Sequence, residues 1–539
     1  MFDFSIKNYK IIQKYIEHNK KLFSKSNQDK IFLVEFNRWE GIHIAFSYLS
    51  NMFSFKKKSK IIAYEGYSLF SKKNENFLQK IKWSIGKFFK LKNFGIYSSF
   101  GTQDFVKPSY SEIIKSKSKK TCEKFYKRSV KLKDLEDLRV ENIWIGDLIY
   151  DTYLKRSSTY TIDLNSKDFN DYLFKCICNF YFWLEYFKKN KVVGSASCHG
   201  VYTPAIPLRI ADYKKIPSFH FSGSSIFNST NKISYKTKSN GTNIQFKMFK
   251  KKFKNFNHFE QNKNLTLGKK YLNQIIKGET KYHYLKNSSF LNKINNFKFS
   301  KNKKIKVIIY PHLFTDSPHV YGNHFFPDFY KWFEFLETII KKKNYDWYVK
   351  RHPDEDKVTK IFLDNFFKNY PNVKDIPKNI SNSYIVKNKV DFALTMYGTI
   401  ASELPGYGVK VISASKNNPH FDYNFSINPK NLKEYKYYLL NLSKIKFKIN
   451  KKDLFEYHYM KNLYSSGNNY IFSNIEEYFK FEKNRLILLT PKCYEVWMND
   501  FSQAKHKNIQ NTFENFINSN EYILLPKYNK NFINSLDKI

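Results

Sequence analysis

Lys350, Arg351 and His352 stand side by side ahead of Pro353, at the end of a short apolar run from Asp346 to Val349. Three cationic or protonatable groups in a row suit an anion, and the proline behind them stops a strand. Ligands of open α/β sheets bind beyond the carboxyl ends of the strands, so this cluster predicts the seat of an anionic substrate. A second strand-like run, Val390 to Leu394, leads into Thr395-Met-Tyr-Gly-Thr-Ile-Ala-Ser-Glu403. There Tyr397 and Gly398 form the turn, and Thr399 and Ser402 put hydroxyls at a helix start, where free N–H groups favour phosphate. One basic and one hydroxyl-bearing strand end together predict a nucleotide mono- or diphosphate site.

Other protonatable residues follow strand-like runs in the same way. Glu40 and His43 come after Ile31 to Glu35, in a glycine-bearing loop that can face a cleft, ahead of an apolar-periodic helix from Ile44 to Phe53. His199, Gly200, Tyr202 and Arg209 lie at or just past the run Lys191 to Ser197, where His199 can point into a cleft or serve as a structural histidine. His312, Asp316 and His319 occupy a long polar and aromatic loop after Ile305 to Tyr310, in which no ligand spacing supports a metal. Asp147, beside Gly146, reads as well as a helix-start residue as a catalytic one.

The elements that must position these residues alternate between strand and helix. Lys60 to Glu65, Lys215 to His220, Val373 to Pro377 and Lys410 to Ala414 complete a βα pattern, with helices over 168–186, 329–340 and 357–370. Residues 70–120 read as helical and basic. The expected organisation is an α/β unit over 1–245, a basic linker with helical pieces over 246–304, a second α/β unit over 305–445, and a helical extension over 446–539 that can pack back onto the first unit.

Composition narrows the function classes. The chain has 539 residues, too many for one ordinary core, and 42% hydrophobic content argues against global disorder. A net charge of +46 raises nucleic acid as a partner, yet the lysines are spread along the chain and no readout motif accompanies them. Heavy use of Lys, Asn, Ile, Phe and Tyr with little Gly, Pro and Arg is also what an AT-rich genome writes. Nucleic acid is therefore not the expected partner. Five scattered cysteines indicate neither a disulfide framework nor a zinc site, which fits a reducing cytoplasm. No apolar signal core stands at the start and no long apolar run follows, so a cytoplasmic protein is expected. Its basic and aromatic surface leaves peripheral contact with the inner face of a membrane open.

Five segments carry a resemblance: Tyr310-Pro-His-Leu-Phe-Thr-Asp, Tyr321-Gly, Trp347-Tyr-Val-Lys-Arg-His-Pro, Thr395 to Gly408, and Asn418-Pro-His-Phe-Asp-Tyr. In these the chain resembles bacterial capsule and surface-polysaccharide biosynthesis proteins of the GT-B type, over roughly 305–440 and more loosely over 31–220. The resemblance implies two Rossmann-like domains facing a cleft, with a nucleotide-sugar donor on the second and a glycan or glycolipid acceptor on the first. It implies no further cofactor and no metal. Remote relatives using CMP-linked sugars, among them bacterial sialyltransferases and Kdo transferases, have a His-Pro histidine on the donor phosphate. By that likeness His352 meets the leaving phosphate, helped by Lys350 and Arg351, while His312, Asp316, Pro353, Tyr397, Gly398, Thr399 and Ser402 line the donor site. Glu403 would accept hydrogen bonds from ribose. The acceptor base is expected from the first domain, Glu40 ahead of His43 and His199. Polyol-phosphate transfer of the CDP-glycerol type and a non-catalytic assembly or export role stay as alternatives.

Overall fold

The computed structural model describes residues 6–26, 28–72, 77–127, 130–222, 225–230, 244–279, 289–290, 297–465, 471, 475–482, 484–519 and 521–524. Two sheets organise it. In the first, β1 (Lys30–Glu35) pairs in parallel with β2 (Ser59–Tyr64) on one side, and β2 pairs with β3 (Thr102–Val106). A small antiparallel pair follows in the chain, β4 (Arg139–Val140) and β5 (Ile143–Trp144). On the other side of β1 lie β6 (Val192–Cys198), then β7 (Ser218–Ser222), then the antiparallel edge β8 (Ser225–Asn228). The second sheet is parallel throughout: β9 (Lys306–Ile309), β10 (Asp346–Lys350), β11 (Lys374–Ile376), β12 (Phe392–Thr395) and β13 (Lys410–Ser413), in the order β11-β10-β9-β12-β13.

Each sheet is a doubly wound Rossmann-like unit, because its first strand sits in the middle and the winding reverses beside it. Parallel strands need both faces covered, and the residue pattern provides this. Phe32 and Val34 face one apolar cluster, whereas Ile31 and Leu33 face another. Val307 and Ile309 divide from Ile308 and Tyr310 in the same way. Alternation with period two therefore sends each buried strand into two cores. The covering helices start on side-chain caps: Ser166 accepts from Phe169 N–H, Asp328 from Lys331 N–H, and Asp356 from Thr359 N–H.

Three expectations are corrected. Residues 102–106 form strand β3 within the stretch read as helical and basic, since an edge strand held by one ladder needs little apolar periodicity. The helix read from Ile44 begins at Glu40 and runs to Lys57, so Glu40 and His43 stand in its first turn and not in an open loop. The stretch read as a basic linker with helical pieces does hold a helix, His258–Ile276, but that helix is no free spacer, since it packs against the helix Lys451–Tyr459 and reaches the turn Leu404–Tyr407. Gly268 permits that crossing: a Cβ there would stand 2.0 Å from the Phe455 carbonyl oxygen. At the other end, the helices Lys492–Asn499 and Gln503–Asn518 return to the first sheet. Cys493, Tyr494, Trp497 and Phe513 share its core with Tyr15 and Tyr48.

Candidate functional site

The winding reverses between β1 and β6 in the first unit and between β9 and β12 in the second. At the first reversal Glu35, last residue of β1, is fully buried and accepts from the Cys198 N–H at 2.6 Å and from Asn37 Nδ2 at 2.9 Å. Burial raises its pKa to about 7. His199 follows in the left-handed region, with φ of 54°, its ring edge-on to Trp39. Burial lowers its pKa to about 4 against the pull of Asp316. At the second reversal the His312 ring stacks on Phe329 at 4.6 Å and lies against Tyr397 at 4.4 Å. Its Nε2 is 3.3 Å from Thr395 Oγ1. Gly398 is required beside it, because a Cβ there would come within 2.9 Å of Thr395 Oγ1.

The long loop after β9 joins the two reversals. Asp316 on it is exposed, and its Oδ1 accepts from the Ser317 N–H. Its charge acts on His199 and Tyr202 of the first unit and on His352, Tyr321 and Tyr397 of the second. Ser317 bridges the units: its hydroxyl donates to Tyr202 Oη at 2.7 Å, and its carbonyl accepts from Tyr397 Oη at 2.8 Å. Strand-end residues from both sheets thus share one locus around Asp316.

His352 belongs to that locus. It is half-buried, and its Nδ1 accepts from the Asp354 N–H at 3.1 Å. An accepting Nδ1 leaves the neutral ring's proton on Nε2, so the outer nitrogen is a donor. Burial lowers its pKa, with Asp354 and Asp316 opposing. Pro353 begins the turn behind it, and Thr399 occupies the N-cap of the short helix Ile400–Glu403 without capping it.

The rest of the basic cluster is spent elsewhere. Lys350 is buried, its amine donating at 3.1 Å to the carbonyls of Arg351 and Lys378, and burial lowers its pKa to about 7. Arg351 is gripped by three carboxylates: Asp375 at 2.9 Å, Glu355 at 3.1 Å and Asp364 at 2.5 Å. Both cations were expected at the leaving phosphate. Their partners turn them into ties that hold β10 to β11 and to the helix Lys357–Asn369.

Ser402 and Glu403 also turn inward. The Ser402 hydroxyl donates to the Thr399 carbonyl at 3.0 Å, and the Ser402 carbonyl accepts from His458 Nε2 at 2.9 Å. Glu403 is 3% exposed, and its charge is felt by Tyr271, Tyr310 and Lys461. Lys461 lies on a π-helical turn, Met460–Tyr464, and burial lowers its pKa to about 8. A counter-charge from the C-terminal region was not legible in the run around Glu403, because nearly sixty residues separate the two in the chain.

Glu40 and His43 are not brought to this locus. His43 is fully buried, its Nδ1 2.6 Å from Tyr494 Oη and its Nε2 3.0 Å from the Asn37 carbonyl, and burial lowers its pKa to about 4. Glu40 sits against the returning C-terminal segment, where the Arg485 charge acts on it and Cys493 and Tyr494 feel its own. Burial raises its pKa to about 7. Asp147 and Arg209 form a wholly buried pair at 2.5 Å, a structural use of both. Glu35 was passed over as the last letter of a strand, although a carboxylate ending a central strand is itself a signal.

Among the described residues no group of three or more His, Cys, Asp or Glu has metal-holding geometry, and no helix is long and apolar enough to cross a membrane. No family model and no curated protein matches the chain. Among solved structures, the beta Kdo 2,4 transferase KpsC of Thermosulfurimonas dismutans is similar at 12% identity and a TM-score of 0.32, over 51% of this chain and 85% of that one. UDP-GlcNAc 2-epimerase from Neisseria meningitidis, bound to UDP-GlcNAc, is similar at 12% identity and a TM-score of 0.20, over 80% and 97%. S. aureus MnaA with UDP gives 10% identity and a TM-score of 0.22, over 91% and 97%. The Rossmann-like assignment rests on the chain's own strand order and not on these superpositions.

Proposed function

We propose that the protein is a nucleotide-sugar-dependent glycosyltransferase of capsule or surface-polysaccharide assembly, with a CMP-linked sugar as the favoured donor and a glycan or glycolipid as acceptor. The observation that carries this reading is the locus around Asp316, where strand ends of two Rossmann-like units meet. As the glycosidic bond to the donor breaks, negative charge builds on the departing phosphate. In this reading His352 Nε2–H and the Thr399 hydroxyl stabilise it more than the ground state, whereas the Gly398, Ala401 and Ser402 N–H groups are already spent on Thr395 Oγ1 and on the Gly398 and Thr399 carbonyls. One such donor is typically worth about 3 kcal/mol, or about a hundredfold in rate.

The acceptor hydroxyl must lose its proton in the same step. Asp316 is the exposed carboxylate of the locus, and in this reading it takes that proton in place of Glu40, which the C-terminal segment covers. His199 and Tyr202 supply the first unit's wall around the acceptor. Glu403 acts from behind the turn, its charge favouring the protonated form of the buried Lys461.

A second reading, a non-catalytic assembly partner, draws on one observation: Lys350 is spent on backbone carbonyls and Arg351 on carboxylates. Incubation of the full chain with CMP-, UDP- and GDP-sugars and with CDP-glycerol, recording nucleotide release, separates the readings. Release from a CMP-sugar that His352→Ala abolishes, and whose acceptor-dependent part Asp316→Asn abolishes, supports the transferase. Release from CDP-glycerol alone moves the assignment to polyol-phosphate transfer, and no release with retained glycan binding favours the assembly role.

A further inference from the structure

The helix Phe77–Phe88 presents its apolar residues to solvent. Phe77 is 74% exposed and Phe88 79%, and Leu78, Ile81, Ile85 and the following Phe89 are exposed as well. At about 100° per residue, positions 77, 88, 81, 85 and 78 fall within an arc of about 100° on one side of the helix. This is no loosely held element. Its opposite side is seated on the first unit: Trp83 packs on Phe36 and Phe94, a Cβ at Gly86 would come within 2.7 Å of the Phe94 ring, and Lys87 pairs with Asp104 at 2.5 Å. A helix on a soluble surface normally turns its polar side outward. Here the order is reversed.

Charge says what would cover the stripe. Lys80 and Lys82 flank it on either side, exposed Lys90 and Lys92 follow the helix, and the whole chain carries +46. Apolar side chains pointing outward between lysines complement an anionic bilayer surface, into which the rings enter while the ammonium groups stay at the headgroups. We propose that this helix docks the protein on an anionic lipid surface.

Its position gives the docking a use. Phe36 directly follows β1, and Phe105, which packs on Phe94 under the helix, is the penultimate residue of β3. The helix therefore stands at the carboxyl end of the first sheet, the same end that carries Glu35 and His199. A bilayer held there would present a lipid-linked acceptor to Asp316, a consequence that rests on the transferase reading, whereas the docking itself does not.

Flotation of the full chain with vesicles of phosphatidylcholine, with and without about a third phosphatidylglycerol, tests the proposal. At least tenfold more protein is expected to float with the anionic vesicles, and raised salt should reduce that excess. The triple variant Leu78→Glu, Ile81→Glu, Phe88→Glu should lose at least tenfold in flotation at an unchanged melting temperature, and Lys80→Glu with Lys82→Glu should lose the preference for anionic lipid. Absence of flotation with either vesicle, or equal flotation of parent and triple variant, overturns the proposal. So does a parent dimer that the triple variant converts to monomer, since the stripe would then be a contact between copies. Flotation needs no turnover, so a protein that floats yet releases no nucleotide overturns only the transferase reading.

Discussion

His319 Nδ1 lies 2.5 Å from Asp151 Oδ1, across the join between the two Rossmann-like units. Its Nε2 lies 3.3 Å from Glu136 Oε1, and all three side chains are buried. Burial raises the Asp151 pKa to about 7, with the His319 ring pulling it down. Burial opposes a charge on the ring, yet Asp151 and Glu136 together raise the His319 pKa to about 10. The loop after β9 is thereby pinned to the first unit, and Asp316 and Ser317 are held where the strand ends meet.

His319→Gln should destabilise the protein by about 3–5 kcal/mol, because it strands two buried carboxylates without their cation. The tie also has a pH signature. A pKa raised in the folded state stabilises fully below the unfolded value of 6.5, and that contribution is lost as pH rises from there through about 10. Melting temperatures of parent and variant should therefore converge between about pH 7 and pH 10. A constant gap across that range would show that the ring is not charged.

His352→Ala and Asp316→Asn should each lower transfer by about a hundredfold or more. Asp316 is exposed and His352 half-buried, so the cost in stability should stay within about 0.5 kcal/mol for Asp316→Asn and about 1–2 kcal/mol for His352→Ala. Single-turnover kinetics on donor and acceptor separate the two. His352→Ala should slow donor hydrolysis in the absence of acceptor, while Asp316→Asn should slow only transfer.

Arg351→Ala is expected to act on stability and not on chemistry. Loss of its ties to Asp375, Glu355 and Asp364 should cost about 1–3 kcal/mol, with the specific activity of the folded fraction kept. A hundredfold loss of activity in a fully folded Arg351→Ala protein would return the guanidinium to the phosphate.

Gly268→Ala should cost more than about 2 kcal/mol, since its Cβ meets backbone at a helix crossing and overpacking there cannot relax by a side-chain turn. Denaturant melts check this. A neutral outcome would mean that the helix His258–Ile276 is a loose linker, as its weak periodicity suggests.

Much of the architecture was legible in the residues because its signals are local. Apolar runs punctuated by Pro353, Gly398 and Gly200 mark where strands stop, and a strand end in a parallel sheet is where ligands go. That reasoning put His352, Thr399, His312 and His199 just past strand ends, where the structure has them. It also passed over β3, an edge strand whose stability comes from one ladder with β2 and not from its own pattern.

Which charges stay available was decided by the tertiary structure. Arg351 reads as a phosphate ligand until Glu355, Asp364 and Asp375 fold around it, and Glu40 and His43 read as cleft residues until Arg485 and Tyr494 return to cover them. Asp316 gained its place because a loop of the second unit is pinned to the first by His319. The physical reason is range: strand, turn and cap are set by neighbours a few residues away, whereas burial and charge neutralisation are set by groups brought together from distant parts of the chain.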